Sequence, residues 1–351
     1  MAPPKSPACT SPRVRCSNSS TLPAQGSILS TPLPGFVEPL DDGIFAIDTG
    51  FHRDRFDAAY LVVEGGRAAF IDTGTAKAVP RLLAALDALD IERAAVDFII
   101  PTHVHLDHAG GVGQLAQALP TAQVVAHPRG ARHLVDPSEL WRGALAIYGQ
   151  SQMDSAYGHL EPVPAERLRT TADDEIVTLA GRPLRFAHTP GHCLHHHCVW
   201  DARSRGWFTG DNFGMAYPEF VVDGRPFIFP TTTPVQFDPP AMVASIRRLL
   251  ANAPERMYLT HYGRIEGVAD CGVRLEAMLA DTLAVVDGVQ GAPERLTALI
   301  DGLTALHVRR VREFGVSLPE AQIRALLHDD MALNAAGIGV WLDRRSRRRP
   351  A

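Results

Sequence analysis

Lysine is almost absent from this chain: Lys5 and Lys77 stand alone, and arginine supplies the rest of the 34 basic side chains. That skew is a bias of GC-rich coding and carries no function. Against 39 acidic residues it leaves a formal net charge of -5. Such a balance gives no general attraction to nucleic acid and sets nucleic-acid processing aside. No apolar run approaches the roughly 18 residues of a membrane span, so no membrane partner is expected. The five cysteines form neither a Cys-x-x-Cys pair nor a ribbon spacing. Cys9 and Cys16 lie near the start, Cys193 and Cys198 straddle a histidine cluster, and Cys271 is isolated. An odd count without a framework speaks for reduced thiols and a cytoplasmic setting. Residues 1–36 are rich in Pro, Ser and Thr and lack a continuous apolar h-region. They read as an unstructured leader and not as a secretory signal.

What the chain does have is histidine and aspartate at the ends of apolar runs. Val96-Asp97-Phe98-Ile99-Ile100 reads as a buried strand, ended by Pro101 and the polar cluster Thr102-His103-Val104-His105-Leu106-Asp107-His108. In an extended segment His103 and His105 point to the same side. Asp107 and His108 fall where the chain starts to turn, so one loop aims donors at two adjacent points. Imidazole with carboxylate suits zinc, iron or manganese better than calcium or magnesium. Three further strands end the same way. Leu184–Ala187 leads to His188-Thr189-Pro190-Gly191-His192, Gly206–Gly210 leads to Asp211, and Met257–Thr260 leads to His261.

The order His-x-His-x-Asp-His, Thr-Pro-Gly-His, Thr-Gly-Asp, Thr-His resembles the metallo-β-lactamase-fold hydrolase superfamily over residues 37 to 265. That likeness implies an α/β fold, an αββα sandwich of the metallo-β-lactamase type, here with a C-terminal helical extension. Position by position it implies His103, His105 and His192 as ligands of a first metal. Asp107, His108 and His261 would hold a second, and Asp211 would bridge the two. Phe70-Ile71-Asp72-Thr73-Gly74 carries the aspartate that in the family supports the site from behind, and His196 matches a further supporting histidine. The implied cofactor is two Zn2+ per chain, with a hydroxide between the metals available near neutral pH. Asp107 would also orient that nucleophile. The expected function is hydrolysis of an ester, thioester or lactone of a small molecule. The alternative is a mononuclear iron dioxygenase acting on a persulfide-like sulfur substrate, which would need only His103, His192 and Asp211. A glutamate stands in flavodiiron proteins where this chain has His105, and the basic stretch of glyoxalase-II-like thioesterases is missing after Asp211.

Other residues receive plainer readings. Strand alternation sends His195 and His197 to the face opposite His196. His188 and His127 read as strand-end residues, with a capping role for His127. Tyr262 reads as packing, and Cys193 as a small buried residue. The segment Asp211–Pro218, continued by Phe220, Phe227 and Phe229, is expected to form an apolar wall of the pocket. The domain reading places a leader at 1–36, the catalytic domain at 37–268 and a helical extension at 269–343. A solvated basic tail follows at 344–351. Three helices after His261 would either cover the site or build a homodimer interface. Elemental analysis of protein purified without added metal separates the two chemistries: two zinc ions per chain for the hydrolase, one iron for the dioxygenase.

Overall fold

The computed structural model describes Met1 and residues 32–232, 235–289 and 291–348. The leader read at 1–36 lies almost wholly outside these residues. The chain divides into two units, Met1–Pro32 and Leu33–Ala351, and the second carries every element below.

Among the described residues, one sheet takes its strands in sequence order: β1 Val37–Pro39, β2 Ile44–Asp48, β3 Ala58–Glu64, β4 Arg67–Ile71, β5 Val96–Ile100, β6 Gln123–Ala126 and β7 Leu168–Thr170. The first four form an antiparallel meander. From β4 onward pairing is parallel, so helices must carry the crossovers. These are α1 Val79–Ala88, α2 Leu106–Ala109, α3 Val112–Ala118, α4 Pro128–Val135 and α5 Ser138–Gln152. Proline opens α1 and α4, where its missing N–H costs nothing. His127 caps α4 by accepting from the Arg129 amide at 3.1 Å.

The second sheet contains β8 Ile176–Leu179, β9 Arg182–His188, β10 His197–Asp201 and β11 Gly206–Gly210. After a small hairpin, β12 Val221–Val222 and β13 Arg225–Pro226, it is completed by β14 Arg256–Leu259 and β15 Gly263–Ile265. β10 runs antiparallel to both β9 and β11, and β11 runs parallel to β14. Hence β9, β11 and β14 point the same way and their carboxyl ends share one edge.

Between the sheets lies one apolar layer, with Tyr60, Val62, Ile71 and Ile100 facing Leu184, Phe186, Val199 and Phe208. Each fully buried side chain of this kind contributes about 1.5–3 kcal/mol. Leu82, Leu86, Leu115 and Leu119 close the outer face of the first sheet. The outer face of the second is covered by α6 Pro239–Leu250, α7 Val268–Val289, α8 Arg295–Phe314 and α9 Glu320–Arg348. These layers make the αββα sandwich. The C-terminal helices share a single apolar cluster with Trp207 and Met257 of the sheet. The stretch read as a basic tail continues α9 through Arg348, with Arg344, Arg345 and Arg347 exposed. Its helical state follows from continuity with the packed turns before it, down to buried Leu342. Among the described residues, no helix is long and apolar enough to cross a membrane.

One buried ion pair joins the sheets away from the site. Arg182 donates through Nε to Asp201 at 2.9 Å and through Nη1 to the Asp42 carbonyl, in the turn between β1 and β2, at 2.6 Å. Arg182→Met would strand the Asp201 charge and should lower unfolding free energy by about 3–5 kcal/mol, read by chemical denaturation.

Candidate metal centre

The loop after β5 is built as its spacing predicts. His105 keeps extended backbone (φ -68, ψ 153) and ends at the start of α2, so His103 and His105 converge while α2 turns Asp107 and His108 to a second point. His105 Nδ1 lies 2.8 Å from His103 Nε2 and 3.0 Å from His192 Nε2. Asp107 Oδ2 lies 3.4 Å from His261 Nε2 and 3.9 Å from His108 Nε2. Asp211 stands between the two groups. Its Oδ2 faces His192 Nε2 at 3.3 Å and His103 Nε2 at 3.9 Å. Its Oδ1 faces His108 Nε2 at 3.2 Å and His261 Nε2 at 3.6 Å. All seven side chains named from the sequence therefore meet, as two donor sets with one carboxylate oxygen of Asp211 in each.

Two glycines explain the motifs around them. A Cβ on Gly191 would come within 2.4 Å of the Met242 Cα of α6, and one on Gly210 within 2.6 Å of His196 Nε2 and Thr102 Oγ1. Both also have positive φ, which glycine adopts without strain.

A family profile described as the metallo-beta-lactamase superfamily matches residues 41–261. The chain belongs to this superfamily. It is 26% identical over 196 residues to acyl-coenzyme A thioesterase MBLAC2 of Gallus gallus, spanning 54% of this chain and 69% of that protein. It is 29% identical over 153 residues to the atrochrysone carboxyl ACP thioesterase of Aspergillus fumigatus, spanning 43% of this chain and 38% of that one. The archaeal superfamily protein ST1585 of Sulfolobus tokodaii shares the fold, with a TM-score of 0.55 at 20% identity over 82% of this chain and all of that structure.

The donor set of this superfamily member fits metal ions on its own evidence. His108 Nε2 and Asp211 Oδ1 are buried, face each other out of line for a hydrogen bond, and have no other partner. Buried polar atoms are seldom left so, and a cation between them would satisfy both. The far nitrogen of four of the five donor histidines is meanwhile held. His108 Nδ1 donates to Asp72 Oδ2 at 2.8 Å, and His261 Nδ1 donates to the Phe56 carbonyl at 3.1 Å. His192 Nδ1 faces the Thr231 carbonyl at 3.5 Å, and His103 Nδ1 faces Thr102 Oγ1 at 3.2 Å. Such partners set the tautomer that turns the free nitrogen inward. His196 Nε2 accepts the Asp211 amide at 3.2 Å, which positions Asp211 through its backbone.

The charges divide the site in two. Burial holds the imidazoles of His103, His105 and His196 well below the usual histidine range, and that of His192 below it. Burial acts on His108 and His261 in the same sense. There the carboxylates of Asp211, Asp72 and Asp107 outweigh it for His108, and Asp211, Asp107 and Asp57 do so for His261. His108 is driven well above that range and His261 to about 9. Burial would also raise Asp107 and Asp211, yet His108 and His261 hold both carboxyls below the usual range. Without metal, the imidazoles of His103, His105 and His192 are neutral, while Asp107, His108, Asp211 and His261 form a network of imidazolium and carboxylate, whose protons a metal must displace.

Above the donors opens a cavity of about 810 Å³. Its walls correct two expectations. Phe213, Phe220, Phe227 and Phe229 do not line it: they are buried in the cluster beneath the C-terminal helices. Of the expected segment Asp211 and Met215 do line it, and Val104 and Leu106 of the ligand loop join them, but most of the apolar lining comes from Phe51, Phe56, Ile147, Tyr148, Leu326 and Leu333, which no motif marks. Tyr217 is wholly buried, with its hydroxyl donating to Asp330 Oδ2 at 2.9 Å. His195 lines the cavity, with its ring centroid 5.5 Å from that of His105. Alternation fails there because β10 starts only at His197. His197 packs as expected, Nε2 donating to the Pro101 carbonyl at 2.9 Å. Cys193 is buried and its thiol is pushed up by burial. His188 rests its ring 4.2 Å from that of His127, and Tyr262 is core. α9 forms part of the cavity wall, so of the two roles expected for the extension it takes at least that of covering the site.

Asp72→Ala would leave His108 Nδ1 and the Thr102 and Thr260 hydroxyls without their shared acceptor. Metal affinity of the Asp107/His108/His261 set should fall about 10- to 100-fold, measured by competition with a chromogenic chelator.

Proposed function

We propose that this protein is a metal-dependent hydrolase that cleaves a thioester, or a related ester or lactone, of a small acyl compound, using two metal ions. The observation that carries the reading is Asp211, with one carboxylate oxygen in each of two complete donor sets at the floor of a largely apolar cavity. His103, His105 and His192 would hold one ion, and Asp107, His108 and His261 the other, zinc being the metal this imidazole-rich set suits best. When bound, such ions supply a Lewis acid and make water acidic enough to act as a nucleophile near neutral pH.

The chain's own residues do the rest. Asp107 is a quarter exposed at the cavity floor, where it can accept a hydrogen bond from the attacking water and aim it. Asp72 and His196 keep His108 and Asp211 in place. Phe51, Phe56, Ile147, Leu326 and Leu333 exclude bulk water around the acyl group, which strengthens every polar contact inside. The names of the two thioesterase relatives support an acyl thioester as substrate. An iron dioxygenase would use only His103, His192 and Asp211, yet dioxygenases of this fold keep residues matching Asp107, His108 and His261, so it is the thioesterase relatives that weigh toward the hydrolase.

His108→Ala tests the reading on a panel of acyl thioesters, esters and lactones. Removing one donor of the second set should reduce kcat by at least about a hundredfold. A variant that keeps the full rate rules out the two-metal mechanism.

A further inference from the structure

One cationic group in the cavity has no use in the chemistry above. Arg53, in the loop between β2 and β3, lines the same cavity as Asp107, Asp211 and His261. Its guanidinium carbon sits 4.7 Å from the Phe56 ring centroid and 4.4 Å from that of Tyr217. Nε faces Glu219 at 3.4 Å. Nη1 and Nη2 are buried and have no hydrogen-bond partner. Stacking on aromatic rings holds the group in place, so the two free donors form a fixed fork.

Phe56 also fixes where that fork lies. Its ring is 5.3 Å from the His261 ring, and its carbonyl accepts His261 Nδ1. Arg53 therefore stands one aromatic ring away from a donor of the metal centre. Paired, coplanar N–H groups match a carboxylate, which accepts both.

The surroundings limit how much negative charge is tolerated. Glu219 already faces one edge, and Asp329 and Asp330 line the cavity from α9. Burial pushes the Asp330 carboxyl up to about 7, and it takes the Tyr217 hydroxyl. A monoanion fits this balance, whereas a phosphate dianion would meet too many carboxyl groups.

We infer that Arg53 anchors a carboxylate on the acyl part of the substrate, so that the preferred substrates are short dicarboxylic acyl compounds such as succinyl or glutaryl derivatives. Capture of the carboxylate stands on Arg53 alone, while its meaning for substrate choice rests on the hydrolase reading. The specificity is set from outside the metal-donor motifs, by the β2–β3 loop together with the C-terminal helix.

The test is a ligand-observed NMR titration of the zinc-loaded full-length protein with N-methylsuccinamate and its neutral near-isostere N-methylbutyramide. Wild type should bind the succinamate at least about tenfold more tightly, the scale of a charge-assisted pair. Arg53→Met and Arg53→Gln, each checked for an unchanged melting curve, should bind both amides alike. Two variants are used so that a folding defect in one does not decide the result. No preference in wild type overturns the proposal. So does a preference that survives in either folded variant, since the carboxylate would then be held by the metals or another group. The titration needs no turnover, so it can fail while hydrolysis is observed, and the hydrolase reading can fail while the anchor holds.

Discussion

Asp72 is the carboxylate on which the assembly turns. It ends a strand of the first sheet and is 1% exposed. It accepts the Thr102 amide and hydroxyl, the His108 imidazole and the Thr260 hydroxyl, with contacts of 2.7–3.0 Å. Thr260 follows a strand of the second sheet, while Thr102 and His108 flank the ligand loop. A buried charge must be paired or it destabilises the fold. Meeting that demand here draws both sheets and the loop to one point, so the requirement that stabilises the seam also places the metal donors.

The same logic extends outward. The histidines of the centre are gripped by oxygen atoms from different parts of the chain: Phe56 before β3, Thr231 before α6, and Asp72 after β4. Thr232 in turn is held by Asn334 of α9, its amide donating to the side-chain oxygen at 2.7 Å and its hydroxyl to the Asn334 carbonyl at 3.1 Å. The C-terminal helices are thus coupled to the centre by hydrogen bonds as well as by the apolar cluster they share with the second sheet. They supply a cavity wall and help fix the backbone behind a donor histidine. The charges near the metals and those on the cavity wall serve different ends. Asp107, His108, Asp211 and His261 form a nearly balanced network suited to exchange protons for metal, while Arg53, a residue of the cavity wall, keeps two buried donors without hydrogen-bond partners.

The donor set is legible because each donor follows the carboxyl end of a strand within one to eight residues. Parallel β9, β11 and β14 then deliver their carboxyl ends to one edge. His103 and His105 share a side because two residues of extended chain return a side chain to the same face. Where local rules were stretched past an element's end they failed. Strand alternation places His195 on the wrong face because its stretch is a turn, and following Asp211 in sequence does not bring Phe213, Phe220, Phe227 and Phe229 to the pocket. The helices that bury those phenylalanines lie far along the chain, so nearness in sequence to a ligand did not mean nearness to substrate.

By itself the sequence determined the helical extension, through its periodicity, and the strand-end histidines and aspartates, through spacing within single loops; the resemblance those motifs carry implied the sandwich and the donor assignment. Tertiary structure alone decided the cavity. Beyond the ligand loop, its walls come chiefly from the loop at Phe51–Phe56, from α5 and from α9, segments far apart along the chain. They face one another only because two sheets and two helical layers must bury their apolar faces against each other.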